Sequence, residues 1–189
     1  MGLTKIVKNL LIVNVIVFLL SYNFFKLDSD AIYNFLLFPM NNRLFHWHQF
    51  ITYMFLHASI SHIVLNMLAL VSFGPVIEKK LGSKSFLLFY LICGVISGLA
   101  HITFSNSPIL GASGAVWGLM ALFALTRPDD ILYLYFFIKV KAKYIIGVFF
   151  IIEMFLALNS SADGISHWGH VGGAVAGCLF YFYNKNKIK

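Results

Sequence analysis

A serine, an asparagine and a few histidines carry the reactive groups of this 189-residue chain. Ser113 stands in Gly111-Ala112-Ser113-Gly114, at the head of a short apolar run. A nucleophilic serine needs an exposed hydroxyl, room for a carbonyl to approach, and N–H donors for the oxyanion that develops. Flanking glycines give that approach, and a helix start leaves its first backbone N–H groups unpaired. A plainer reading makes Gly114 and Gly118 a small-residue packing face, with Ser113 incidental.

The partner for Ser113 is His170, in His167-Trp168-Gly169-His170-Val171-Gly172-Gly173. A histidine inside an apolar helix is costly to bury and is a functional candidate by default. Its neutral imidazole is the form a general base requires. Gly173 and Gly177 make a second small face beside it. Two helices with such faces approach closely, close enough to bring His170 to Ser113. The plainer reading is a structural bond between helices.

A third group is His57-x4-His62-x3-Asn66. On one helix, His62 and Asn66 lie a turn apart on one face, whereas His57 points about 140° away. His62 and Asn66 can therefore aim donors at one point, as an oxyanion hole demands. His57 suits a capping or loop-fixing hydrogen bond instead. A metal site is disfavoured: there is no HExxH, and no carboxylate lies near these residues in sequence. Neither Glu153 nor Asp163 has a spacing that assigns it as an orienter of His170.

What positions these groups follows from composition. The chain is 60% hydrophobic and only 11% charged, with a mean hydropathy of +0.84. Water-soluble domains carry about 25% charged residues. Much of this surface must therefore face lipid, in one membrane domain spanning 1–189. The net charge of +7 does not signal nucleic acid, because the basic residues form short clusters between apolar runs and no stripe with aromatics. Cys93 and Cys178 lie inside apolar runs and read as buried thiols.

Six runs approach the roughly 20 apolar residues of a membrane span: about 6–25, 52–76, 85–104, 112–126, 142–159 and 167–184. The first is read as a retained helix, since no small-residue cleavage site follows it. The connection over 26–51, with Phe35-Leu36-Leu37-Phe38 and Phe45-His46-Trp47, reads as interfacial. Ile131 to Ile138 reads as part of the fourth connection. With both termini inside, all but Lys26 and Arg43 of the fourteen basic residues fall on the cytoplasmic side, as the positive-inside rule requires. The second, fourth and sixth runs then enter from outside, each with its polar residues near its start. The fourth is short, and at about 1.5 Å per residue it does not fill a core about 30 Å thick. Its start is expected below the membrane surface, in a pocket holding water.

These residues resemble the rhomboid family over about 45–180. The H-x4-H-x3-N pattern appears as His57, His62 and Asn66, G-x-S-G as Gly111, Ser113 and Gly114, and the last motif as His170, Gly172, Gly173 and Gly177. Phe73-Gly74-Pro75-Val76-Ile77-Glu78 with Gly82 is similar to the family's loop after the second span. The resemblance implies an all-α bundle of six transmembrane helices. It implies an intramembrane serine endopeptidase without cofactor or metal. Ser113 would be its nucleophile and His170 its base. His62, Asn66 and the Ser113 N–H would be its oxyanion donors, and Trp117 would pack on the imidazole. Substrates would be transmembrane segments of other proteins, met within the lipid bilayer. A catalytically inactive rhomboid-like protein that binds such clients is the alternative, and a haem- or ion-handling protein using His57, His62, His101 and His170 a more distant one. The chain departs from many rhomboids at His48-Gln49, where they carry Trp-Arg; Trp47 stands one place earlier. The compact layout without a targeting extension suggests a bacterial inner membrane.

Overall fold

The computed structural model describes residues 2–21, 30–134, 137–159 and 164–186; Lys26, Asp163, Lys187 and Lys189 lie outside them. In chain order the helices are α1 (Lys5–Leu20), the short turns α2 (Asp30–Tyr33) and α3 (Gln49–Thr52), α4 (Ile60–Leu81), α5 (Ser83–Phe104), α6 (Ser113–Thr126), α7 (Ala142–Leu158) and α8 (His167–Asn184). Each apolar run thus has its helix. Among the described residues, α4 and α5 alone combine the length and apolarity of a membrane span. The lengths of α1, α6 and α7 are 16, 14 and 17 residues, while α8 opens on the polar His167-Trp168-Gly169-His170.

Two boundaries differ from the sequence expectation. The second long helix begins at Ile60 and not near 52, because Ser59 caps it: its hydroxyl accepts the His62 backbone N–H. It runs on to Leu81, through Lys79 and Lys80, and stops at Gly82, whose φ of 79° breaks the helix. Beside the helices, which dominate the fold, there is one small sheet among the described residues. Residues 131–141 form an antiparallel hairpin, β1 (Ile131–Leu134) with β2 (Ile138–Lys141), pairing Ile131 with Lys141 and Tyr133 with Lys139. At its base Asp129 accepts from Lys141 and Lys143, each at 3.0 Å. Those two hydrogen bonds hold its carboxyl below the usual carboxylate range.

Polarity is distributed inside out. Asn14, Gln49, His57, Asn66, Glu78, Ser97, His101 and His167 are buried, whereas Leu65, Leu68, Leu88, Ile151, Phe155, Leu179 and Phe182 are exposed along the helices. Apolar exposure on this scale suits a hydrocarbon solvent, and most of the buried polar groups, His57 and Ser97 apart, pair with one another or with backbone, as lipid demands. Cys93 and Cys178 are free thiols.

Glu78 shows that pairing most fully. Its carboxylate accepts from Thr4 Oγ1 (2.5 Å), the Val7 N–H (2.9 Å) and Ser83 Oγ (2.6 Å), and from the Ile6 N–H at 3.0 Å. One negative charge thereby caps the first turn of α1 and braces the start of α5. Glu78→Ala strands several buried donors, each worth about 1–3 kcal/mol. Because these costs are not additive, a net loss of about 2–4 kcal/mol is expected, read as a lowered Tm in detergent.

The first connection is built around Gln49, which is fully buried. Its Oε1 accepts the N–H groups of His46 (3.2 Å) and Phe38 (3.3 Å), and its Nε2 donates to the Leu44 carbonyl at 2.7 Å. A glutamine can do both where an arginine could only donate. Only part of this connection suits an interface: Phe35 and Trp47 are exposed, but Leu36, Leu37 and Phe38 are buried. Leu37 pairs with Ile109 through both backbone bonds (3.1 and 3.0 Å), and Tyr53 O accepts the Gly111 N–H at 2.9 Å. The connection therefore holds the loop that delivers Ser113.

Candidate active site

Ser113 is the first residue of α6, and His170 lies in the first turn of α8. Ser113 Oγ is 2.9 Å from His170 Nε2. The glycines explain the closeness. A Cβ on Gly173 would collide with the Gly114 carbonyl and Cα, and one on Gly177 with the same atoms of Gly118. Backbone meets backbone there, so nothing flexible can yield. Gly173→Ala is expected to cost about 1–3 kcal/mol by overpacking. It would also part Ser113 from His170, so a serine-directed probe should label the folded protein more slowly.

His170 is held from several sides. The Trp117 ring lies 5.8 Å from the imidazole at a 31° tilt, one turn along α6 from Ser113. His101, on α5, takes the Ser166 hydroxyl on Nδ1 (2.6 Å) and reaches the Ser107 carbonyl with Nε2 (2.9 Å). Ser166 Oγ in turn accepts the Gly169 N–H at 3.2 Å, capping α8. This relay fixes both the loop before Ser113 and the helix start that bears His170. It also occupies both ring nitrogens of His101, leaving that residue no lone pair for haem.

His62 and Asn66 share a cavity of about 1160 Å³ with Ser113, Trp117 and His170. The Ala58 N–H points to His62 Nδ1 at 3.4 Å, which leaves the proton on Nε2. That Nε2 faces Gly111: a Cβ there would sit 2.7 Å from it. Gly111 also has φ of 122°, so glycine is required twice over. Asn66 Nδ2 donates to the His62 carbonyl at 2.9 Å, and an amide nitrogen carries a second hydrogen. His57 departs from expectation. It precedes α4, so helical geometry does not place it, and its ring packs edge-on to His62 at 4.9 Å. The Phe55 carbonyl is the loop acceptor beside it, though neither ring nitrogen reaches full hydrogen-bond geometry among the described residues.

Glu153 is the residue sequence reasoning passed over. From α7 its Oε2 lies 2.6 Å from His167 Nδ1 and 3.0 Å from His170 Nδ1. The second contact is near but not aligned as a hydrogen bond. A carboxylate alone in an apolar helix was the available signal, as was the three-residue spacing that puts His167 and His170 on one face. Glu153, His167 and His170 are also ligand types for zinc. Ligands around tetrahedral zinc sit about 3.3 Å apart, given bonds of about 2.0 Å. The 2.6 Å Glu153–His167 contact is instead a hydrogen bond.

Comparison with known proteins concerns the chain as a whole. The rhomboid domain family model matches residues 44–186. The chain is 33% identical over 132 residues to the rhomboid protease GluP of Bacillus subtilis (strain 168), covering 69% of this chain and 25% of that protein. It is 35% identical over 152 residues to the mitochondrial RHOMBOID-like protein 12 of Arabidopsis thaliana, covering 70% and 45%. The putative rhomboid protease YdcA of B. subtilis is 35% identical over 81 residues, 41% of this chain and 40% of its own length. The chain thus spans between a quarter and about half of these relatives.

Proposed function

Because the chain belongs to the rhomboid family, we propose that it is an intramembrane serine endopeptidase cleaving transmembrane segments of other proteins. The observation that carries this reading is the 2.9 Å contact of Ser113 Oγ with His170 Nε2, within a cavity that also holds two further side-chain donors. Neutral His170 takes the Ser113 proton on Nε2 as Oγ bonds to the scissile carbonyl carbon. The carbonyl π pair moves to oxygen, which His62, Asn66 and the Ser113 N–H receive. When the tetrahedral intermediate collapses, the C–N bond breaks and the amine leaves with the proton from His170. Water, deprotonated by His170, then releases the acyl group and restores the serine.

The substrate is a membrane segment that unwinds near its outer end, because an intact helix hides its carbonyls. The chain is read as a six-span membrane protein with both termini on the lysine-rich, cytoplasmic side. Relatives from bacterial, mitochondrial and chloroplast settings fit more than one membrane; a bacterial inner membrane is the setting proposed. Co-expression with single-span reporters, with Ser113→Ala as control, tests the reading. Cleavage by both forms, or by neither, sinks it. An inactive client-binding protein is the competing identity, and a fluorophosphonate probe that never labels the folded wild type would favour it.

A further inference from the structure

We infer that Glu153 is a positioning residue that makes the Ser113–His170 pair a three-member relay, a refinement that rests on the proposed serine hydrolase activity. Four observations meet at this side chain. It is the one carboxylate of α7, whose neighbours Ile151, Ile152, Phe155 and Leu158 are exposed on the apolar surface. Such a group is costly unless something holds it inward. His167 does so, through the 2.6 Å bond from Nδ1 to Oε2. The same oxygen lies 3.0 Å from His170 Nδ1, while Ser113 takes up the opposite nitrogen, Nε2.

That opposition has a chemical consequence. A neutral imidazole carries one proton, on one nitrogen. If it sits on Nε2, the ring cannot accept from Ser113. A carboxylate oxygen beside Nδ1 favours the proton there and leaves the Nε2 lone pair aimed at the hydroxyl. As the serine proton arrives, the ring becomes an imidazolium, and the nearby anion stabilises it without itself taking the proton. The misaligned 3.0 Å contact is the state before substrate; catalytic hydrogen bonds of this kind tighten on binding. His167, one turn before His170, keeps Oε2 within that reach. Glu153 touches no reacting atom and works through His170.

The test compares Glu153→Gln with Glu153→Asp in the full chain. Rates are taken per active site titrated with a fluorophosphonate, so that loss of folded protein drops out. A role in charge and tautomer predicts that Glu153→Gln loses about 100-fold or more in kcat, with KM within about twofold because substrate contacts are untouched. Glu153→Asp keeps the anion and should retain at least about tenfold more rate than the glutamine form. A role in packing alone reverses that order, since glutamine preserves shape and aspartate does not. Equal or better activity of the glutamine variant, or a per-site rate close to wild type, overturns the inference and leaves the dyad intact. Wild-type protein that never labels removes the hydrolase reading itself, and this inference with it.

Discussion

Ser113→Ala is expected to abolish cleavage of every reporter, with a rate loss of about a millionfold against an active wild type. Removing the hydroxyl removes the nucleophile; of the serines near it, Ser97 is buried behind Gly114 and Ser166 is bound to His101. His170→Ala should cost nearly as much, because residues acting as one unit fail together. The double variant should therefore be no worse than either single one. Among the described residues the Ser113 hydroxyl bonds to His170, so Ser113→Ala should leave Tm within about a degree or two. Activity lost at unchanged Tm separates chemistry from folding. Residual cleavage within about a hundredfold of wild type would assign the nucleophile elsewhere.

How far the site was legible in the sequence depends on where its parts lie along the chain. Ser113 and His170 could be read because each sits on a helix whose glycine spacing announces close approach, and two such faces have one way to satisfy both. Gly114 against Gly173 is that prediction realised at backbone level. His62 and Asn66 were readable for a local reason: four residues on one helix fix a shared face. His57 was misplaced because the chain passes through the Ser59 cap between it and His62, and periodicity has no meaning across a cap. Glu153 was visible as a carboxylate in apolar surroundings, yet its partners lie on another helix. No spacing within α7 states which neighbour its side chain will meet. Gln49 illustrates the same limit, for its worth lies in the backbone of a loop that folds around it. The hairpin over 131–141 escaped notice because each strand has four residues, too few for alternation to stand out from a short apolar run.

The proposed oxyanion donors give the next largest effect. Asn66→Ala and His62→Ala are each expected to lower kcat by roughly 100- to 1000-fold, with KM little changed, because the negative oxygen exists only after attack has begun. The structure makes the two losses unequal in kind. His62 fills the space that Gly111 leaves open, with Nε2 facing that glycine, so its removal also frees the loop before Ser113. Asn66 is tied to the His62 carbonyl by one hydrogen of Nδ2, and only the other is available to the oxyanion. Asn66→Ala should therefore be the cleaner test, with Tm nearly unchanged, whereas His62→Ala should lower stability as well. If both address one oxygen, the double variant will lose less than the product of the single losses. Fully multiplicative losses would mean separate roles, and a kcat for Asn66→Ala within about threefold of wild type would remove Asn66 from the oxyanion site.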